Sequence, residues 1–96
     1  KLLKAIPNKS VLQQFMHETL GMLISDKKYP FVLLETLDAW LKENGNLNDT
    51  AKRLDIHRNT LNQRIQKIES LTNQALSEAN FRLNASMALL IWHMSH

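Results

Sequence analysis

The chain has 96 residues, of which 44% are hydrophobic, and a formal net charge of +3. This length can bury one core but not two, so we expect residues 1–96 to form a single domain. The absence of cysteine excludes disulfides and thiolate metal sites and favours a cytoplasmic location. The longest apolar run, residues 87–92, is far shorter than the roughly 20 residues that span a membrane. With only two glycines and two prolines, the composition predicts an all-α fold, a compact bundle of about five helices.

The amino-terminal part of the chain predicts one amphipathic helix. Residues 1–9 hold a short apolar cluster and are expected to be a leading segment without a function of their own. Ser10 followed three residues later by Gln13 has the pattern of a capping box. Apolar residues then recur at helical spacing, which predicts a first helix at 11–24.

A second helix is predicted after a short polar connector. Pro30 suits the first position of this helix, where a missing N–H costs nothing, and the apolar repeat continues to about Glu43. The run Asn44-Gly45-Asn46 tolerates left-handed backbone and therefore predicts a sharp break.

The clearest motif is a pair of helices separated by three residues. Asn46 is placed to cap a helix at 47–54, with Asp49 returning the bond. The small residue Ala51 lies midway along that helix, and the next helix begins near Arg58 and ends at residues 71–73. A short helix, a tight turn and a second helix, with a small residue where they cross, are typical of a helix-turn-helix.

A fifth helix is predicted at 79–94, and it is apolar over an unusually wide arc. One face carries Leu83, Met87, Leu90, Ile91 and Met94, and a second carries Ala85, Ala88, Leu89 and Trp92. The other helices or a second subunit must cover this surface, and the sequence leaves both possibilities open.

The positive charge is concentrated in the helix-turn-helix. Residues 47–68 contain five cations and two carboxylates, whereas the rest of the chain has seven of each. Residues 57–68 contain no carboxylate, and the outer face of the second helix is rich in amides, which suit base edges in the major groove. The predicted DNA-contacting residues are Asn48, Thr50, His57, Arg58, Asn59, Thr60, Asn62, Gln63, Arg64 and Lys67.

These residues are expected to divide between bases and phosphates. Arg58 and Asn59 lie near the start of the helix, where base edges are usually met. Lys67, further along, suits a phosphate, and Asn48 and Thr50 on the preceding helix would add neutral phosphate contacts.

Two residues of the set have structural alternatives. Arg64 lies near the edge of the core, so pairing with Asp49 or Glu69 is as strong an expectation as a phosphate contact. His57 is favoured as an N-cap or turn residue over a base reader. The amide-rich face as a whole also has a simpler interpretation as a solvated surface.

One stretch resembles a known family. The matching motifs are His57-Arg58-Asn59-Thr60-Leu61, Arg64-Ile65 and Ile68-Glu69 with Leu71-Thr72. They are similar to the C-terminal helix-turn-helix of the PucR/CdaR regulators of purine catabolism and sugar-diacid use, and the likeness extends over about residues 12–92. It implies a DNA-binding output domain, joined through residues 1–9 to an N-terminal sensor of a small metabolite that this sequence lacks. The sequence departs from the family pattern at Gln63, where Tyr is usual, at Asp55, where His is common, and at Asn73, where Gly is usual.

The leading hypothesis is therefore sequence-specific binding of double-stranded DNA, as a homodimer on paired half-sites, with RNA polymerase as a further candidate partner. The alternative is a helical dimerisation or protein-interaction module, which uses the fifth helix and does not bind DNA. An enzyme is not expected, because the histidines lack metal-ligand spacing and no glycine-rich phosphate loop occurs. We expect neither a metal nor a cofactor.

Overall fold

A computed structural model describes residues 8–25 and 31–95, which form five helices and no strand. The helices are α1 Lys9–Ile24, α2 Val32–Lys42, α3 Leu47–Leu54, α4 Arg58–Thr72 and α5 Ala79–Ser95. The predicted all-α class is confirmed, and α3 has the predicted bounds. None of these helices is long and apolar enough to cross a membrane.

The start of α1 differs from the prediction. Asn8 is the N-cap, and its Oδ1 accepts a hydrogen bond from the Val11 amide at 3.3 Å. The Ser10 hydroxyl donates to the same oxygen at 2.6 Å, and the Gln13 amide donates to the Ser95 hydroxyl at 2.7 Å. The predicted capping box is therefore wrong, because both of its side chains bond elsewhere. Most of the leading segment and the predicted first residue of the second helix, Pro30, lie outside the described residues.

Helix α5 lies antiparallel to α1, since the bond between Gln13 and Ser95 joins the start of one to the end of the other. The core is formed by the buried side chains of Met16, Leu20, Leu23, Leu33, Leu34, Leu37, Trp40, Ile68, Leu76, Phe81, Ala85, Ala88, Leu89 and Ile91. The second predicted face of α5 is thus the one that packs inward. Of the first face only Ile91 is buried, while Leu83, Met87 and Leu90 are exposed, so the described helices of this chain do not cover that face.

Helix α2 is the central element, since it contacts each of the other four described helices. It ends in a left-handed turn in which the Gly45 amide donates to the Trp40 carbonyl at 2.9 Å and the Asn44 amide donates to the Leu41 carbonyl at 3.1 Å. Both bonds cap carbonyls that the helix leaves free. Asn44 has φ 54° and Gly45 has φ 79°, so the predicted break is confirmed.

Gly45→Ala is expected to destabilise the fold. A Cβ at this position would lie 3.1 Å from Trp40 Cζ2, on backbone that L-residues rarely adopt, so we expect a loss of about 1–2 kcal/mol in the free energy of unfolding. Urea denaturation measures it. Gly21→Ala is the control, because Gly21 lies within α1 and a Cβ added there would meet nothing within 4 Å. This substitution should raise the free energy of unfolding by about 0.5–1 kcal/mol. Equal effects of the two substitutions would contradict this account of the turn.

Candidate nucleic-acid interface

Helix α3 begins at a side-chain cap and is tied to the end of α2 by one backbone bond and one ion pair. Asn46 Oδ1 accepts a hydrogen bond from the Asp49 amide at 2.9 Å, which confirms the predicted cap. The predicted return bond is not seen, because the Asn46 amide donates to the Glu43 carbonyl at 3.0 Å. Arg53 Nε donates to Glu43 Oε2 at 2.6 Å, so an ion pair also ties α3 to α2.

The turn between α3 and α4 is closed by two backbone bonds. The Ile56 amide donates to the Ala51 carbonyl at 3.0 Å, and the Asp55 amide donates to the Lys52 carbonyl at 3.1 Å. Asp55 takes the left-handed conformation, with φ 55°. Ala51 is buried, as predicted for the small residue of a helix-turn-helix, and Leu61 of α4 is fully buried. This turn sets the direction in which α4 leaves the corner.

Helix α4 begins without a side-chain cap. His57 is the N-cap by position and its carbonyl accepts from the Leu61 amide at 3.0 Å, but its side chain makes no capping bond. The first amides of α4 are therefore left for solvent or an anion. Asn73 ends the helix with φ 54°, which confirms that Asn replaces Gly in this left-handed cap.

The predicted outer face of α4 does point away from the core. Its exposed residues are Arg58, Asn59, Gln63, Gln66 and Lys67, and its partly buried ones are Thr60, Asn62 and Arg64. The buried residues of this helix, Leu61 and Ile68, lie on the opposite side. The helix thus presents amides and cations to solvent over about three turns.

The first residues of α3 and α4 are joined by one side-chain bond. Arg58 Nη1 donates to Asn48 Oδ1 at 2.7 Å, although the two residues are ten apart in sequence. Because the Asn48 side chain is an uncharged amide, this bond positions the Arg58 guanidinium beside the start of α3 without pairing it with a carboxylate. Sequence reasoning identified both residues but not this contact.

Thr50 does not belong to this surface. Its side chain is fully buried and its hydroxyl donates to the Asn46 carbonyl at 2.6 Å. A buried, bonded hydroxyl cannot reach a phosphate, so Thr50 is removed from the predicted contacts and stabilises the first turn of α3 instead.

Arg64 forms no ion pair within the described part of the chain. Glu69 Oε2 accepts from the Leu76 amide at 2.9 Å, and neither Glu69 nor Asp49 pairs with it. Its charge therefore remains available at the edge of the face.

Lys52 is an exposed cation that the predicted DNA-contacting set does not include. It lines a shallow groove of about 330 Å³ beside the turn, together with Asn48, Ala51, Asp55, Ile56 and His57. The four-residue spacing between Asn48 and Lys52, which places both on one side of α3, is the signal that could have identified it. Among the described residues, no group of three or more His, Asp or Glu side chains could hold a metal ion.

Comparisons with known proteins give one family and three relatives. The model of the PucR C-terminal helix-turn-helix domain matches residues 33–91. The chain is 33% identical to the purine catabolism regulatory protein of Bacillus subtilis (strain 168), over 93% of this chain and 17% of that protein. It is 30% identical to the proline-responsive transcriptional activator PutR and 29% identical to the DNA-binding transcriptional activator AdeR of the same organism, over 95% and 72% of this chain. It spans 22% and 16% of those two proteins. No solved structure matches the chain significantly.

Ala51→Leu is expected to force α3 and α4 apart. Ala51 is 7% exposed, so most of the added atoms must displace its buried neighbours, and we expect a loss of about 1–3 kcal/mol in the free energy of unfolding. Urea denaturation measures this loss. Ala79→Leu, at the exposed start of α5, is the matched control and should change stability by less than about 0.5 kcal/mol. A tolerated leucine at position 51 would show that the corner is loosely packed.

Proposed function

We propose that this chain, which belongs to the family of PucR C-terminal helix-turn-helix domains, binds double-stranded DNA sequence-specifically as the output domain of a transcription regulator. The observation that carries the proposal is the outer face of α4, which is free of carboxylates, rich in amides and cations, and turned to solvent beside the helix-turn-helix corner. The names of the three relatives, all regulators or activators, support it.

In this proposal α4 lies in the major groove with its amino end towards the bases. Arg58 can donate two hydrogen bonds to guanine, and Asn59, Asn62 and Gln63 can each bond adenine through both amide atoms. Thr60 offers a methyl group for thymine at the flank. The exposed position of Arg58 at the first turn is what this geometry requires.

Phosphate contacts would be made by residues around the outer face of α4. Lys67 and Arg64 lie further along α4, while Lys52 and His57 line the groove beside the turn, which also contains the carboxylate of Asp55. The uncapped amides at the start of α4 suit a phosphate oxygen, since helix amino termini favour anions. These contacts would set register and affinity and would carry no sequence information themselves.

The regulatory context is a further part of the proposal. The chain spans about a fifth of the relatives it matches, so the effector site is assigned to a sensor in a longer protein. We expect catabolic genes as targets, with purine and sugar-diacid breakdown as the candidate pathways, and binding by a homodimer that contacts RNA polymerase. Selection of bound sequences from a random DNA pool tests the central claim: an enriched motif supports it, and no enrichment at any salt concentration contradicts it.

Arg58→Ala and Lys67→Ala should affect DNA binding in different ways: the first should change specificity, and the second should change affinity for all sequences. If Arg58 reads a base, its loss costs about 1–3 kcal/mol in binding and relaxes specificity at one position. Loss of Lys67 should weaken all sequences alike and reduce the slope of log K against log salt by about one. Titration of selected and scrambled DNA at several salt concentrations separates the two.

Lys42→Ala is the control for these titrations, because Lys42 is paired with Asp38 at 2.9 Å on α2 and should leave both affinity and slope unchanged. Identical losses for all three variants would mean that α4 has no special part in binding.

Asn48→Ala tests whether Asn48 acts through Arg58. We expect a loss of about 1 kcal/mol in DNA binding, because the guanidinium loses the bond that orients it. In an Arg58→Ala background the same substitution should have almost no effect, which a double-mutant cycle measures. If Asn48→Ala weakens binding equally in the Arg58→Ala background, Asn48 contacts the DNA independently, through a phosphate.

A further inference from the structure

The outer side of α5 carries a straight apolar stripe that the core does not use. The stripe consists of Leu83, Met87, Leu90 and Met94, of which the first three are 60%, 49% and 53% exposed. The opposite face of the same helix is buried against the bundle. Folding of the described domain therefore does not explain why these outer positions are apolar.

The spacing of the stripe matches one kind of contact. Its residues are separated by four, three and four positions, which is the a/d pattern of a two-helix coiled coil. An a/d stripe is narrower than the arc by which a helix packs onto a globular core. Asn80, three residues before Leu83, continues the pattern at its amino end, and a polar residue at one such position limits the registers in which helices pair. The stripe is thus shaped for one partner helix.

The charges around the stripe favour an identical partner. The side chains that flank it on α5 are those of Asn84, Ser86 and His93, and α5 contains no carboxylate. The nearest charges on another helix, Asp38 and Lys42 of α2, are paired with each other at 2.9 Å beside Leu90. The Arg82 guanidinium is turned inward, with its carbon 5.3 Å from the centre of the Trp40 ring. Two copies of this face can therefore meet without an excess of like charge, whereas a strongly charged helix would find beside the stripe only charges that are already paired.

We propose that α5 pairs through this stripe with α5 of a second copy of the chain. The use of such a dimer in DNA binding rests on the proposed function, since two copies would bring two α4 helices to paired half-sites. The helix is only about 25 Å long, so the interface is small and we expect a dissociation constant on the order of 10–100 μM for the chain without DNA.

Sedimentation equilibrium of the 96-residue chain tests the pairing. Met87→Glu should raise the dissociation constant at least about tenfold, because it places a carboxylate in the seam of both copies. Met22→Glu is the matched control: Met22 is 57% exposed but lies on α1, and its substitution should change the constant less than about twofold. Leu90→Glu is a second variant in the stripe, and circular dichroism verifies that each variant is folded.

A chain that stays monomeric up to about 1 mM overturns the inference, as do equal effects of Met87→Glu and Met22→Glu. Binding to a single DNA half-site distinguishes this failure from that of the proposed function. If the chain is monomeric but still binds a half-site selectively, only the inference about α5 is wrong. If the chain dimerises but selects no DNA sequence, only the proposed function is wrong. If the inference is correct, Met87→Glu keeps half-site affinity and loses the added affinity for a paired site.

Discussion

The structure depends on the turn between α3 and α4, beside which the small residue Ala51 is buried. Two backbone bonds, from the amides of Asp55 and Ile56 to the carbonyls of Lys52 and Ala51, end α3 and close the turn that leads into α4. With the side of α4 that carries Leu61 buried, the amide-rich side has only the outward direction left. The orientation of the outer face of α4 therefore follows from the turn and from the burial of Leu61 and Ile68 on the opposite side of the helix.

The corner in turn is held in place by the end of α2. Trp40 is buried in the core, its ring would lie 3.1 Å from a Cβ at position 45, and its carbonyl accepts a hydrogen bond from the Gly45 amide. Glu43, three residues on, forms the ion pair with Arg53 of α3. Stability and site geometry are coupled here, because a change at the end of α2 alters both the packing of the core and the direction of α3.

The features that could be predicted from the sequence are those decided by neighbours along the chain. The cap at Asn46 and the left-handed end at Asn73 depend on residues three or four positions away, so their patterns were sufficient. The cap of α1 was placed at Ser10 although the observed cap, Asn8, is equally local, because the spacing of Ser10 and Gln13 also fits a capping box. The bond from Gln13 to Ser95 across the bundle could not be predicted from neighbours along the chain. Periodicity also could not decide which side of α5 is buried, because apolar residues cover a wide arc of that helix. The buried side is the one that packs against α1.

The charge of the site limits what a single domain can do. Four cations, Lys52, Arg58, Arg64 and Lys67, lie on or beside the outer face of α4 without a carboxylate partner in the described residues. Release of counterions from about four phosphates gives a salt slope of only about −3 to −4, so non-specific attraction is modest at physiological salt. One helix also reads only a few base pairs, which recur throughout a genome. If the proposed function and the proposed pairing both hold, two copies that bind together would supply the selectivity that one α4 helix lacks, and the apolar stripe of α5 and the outer face of α4 would act in one mechanism.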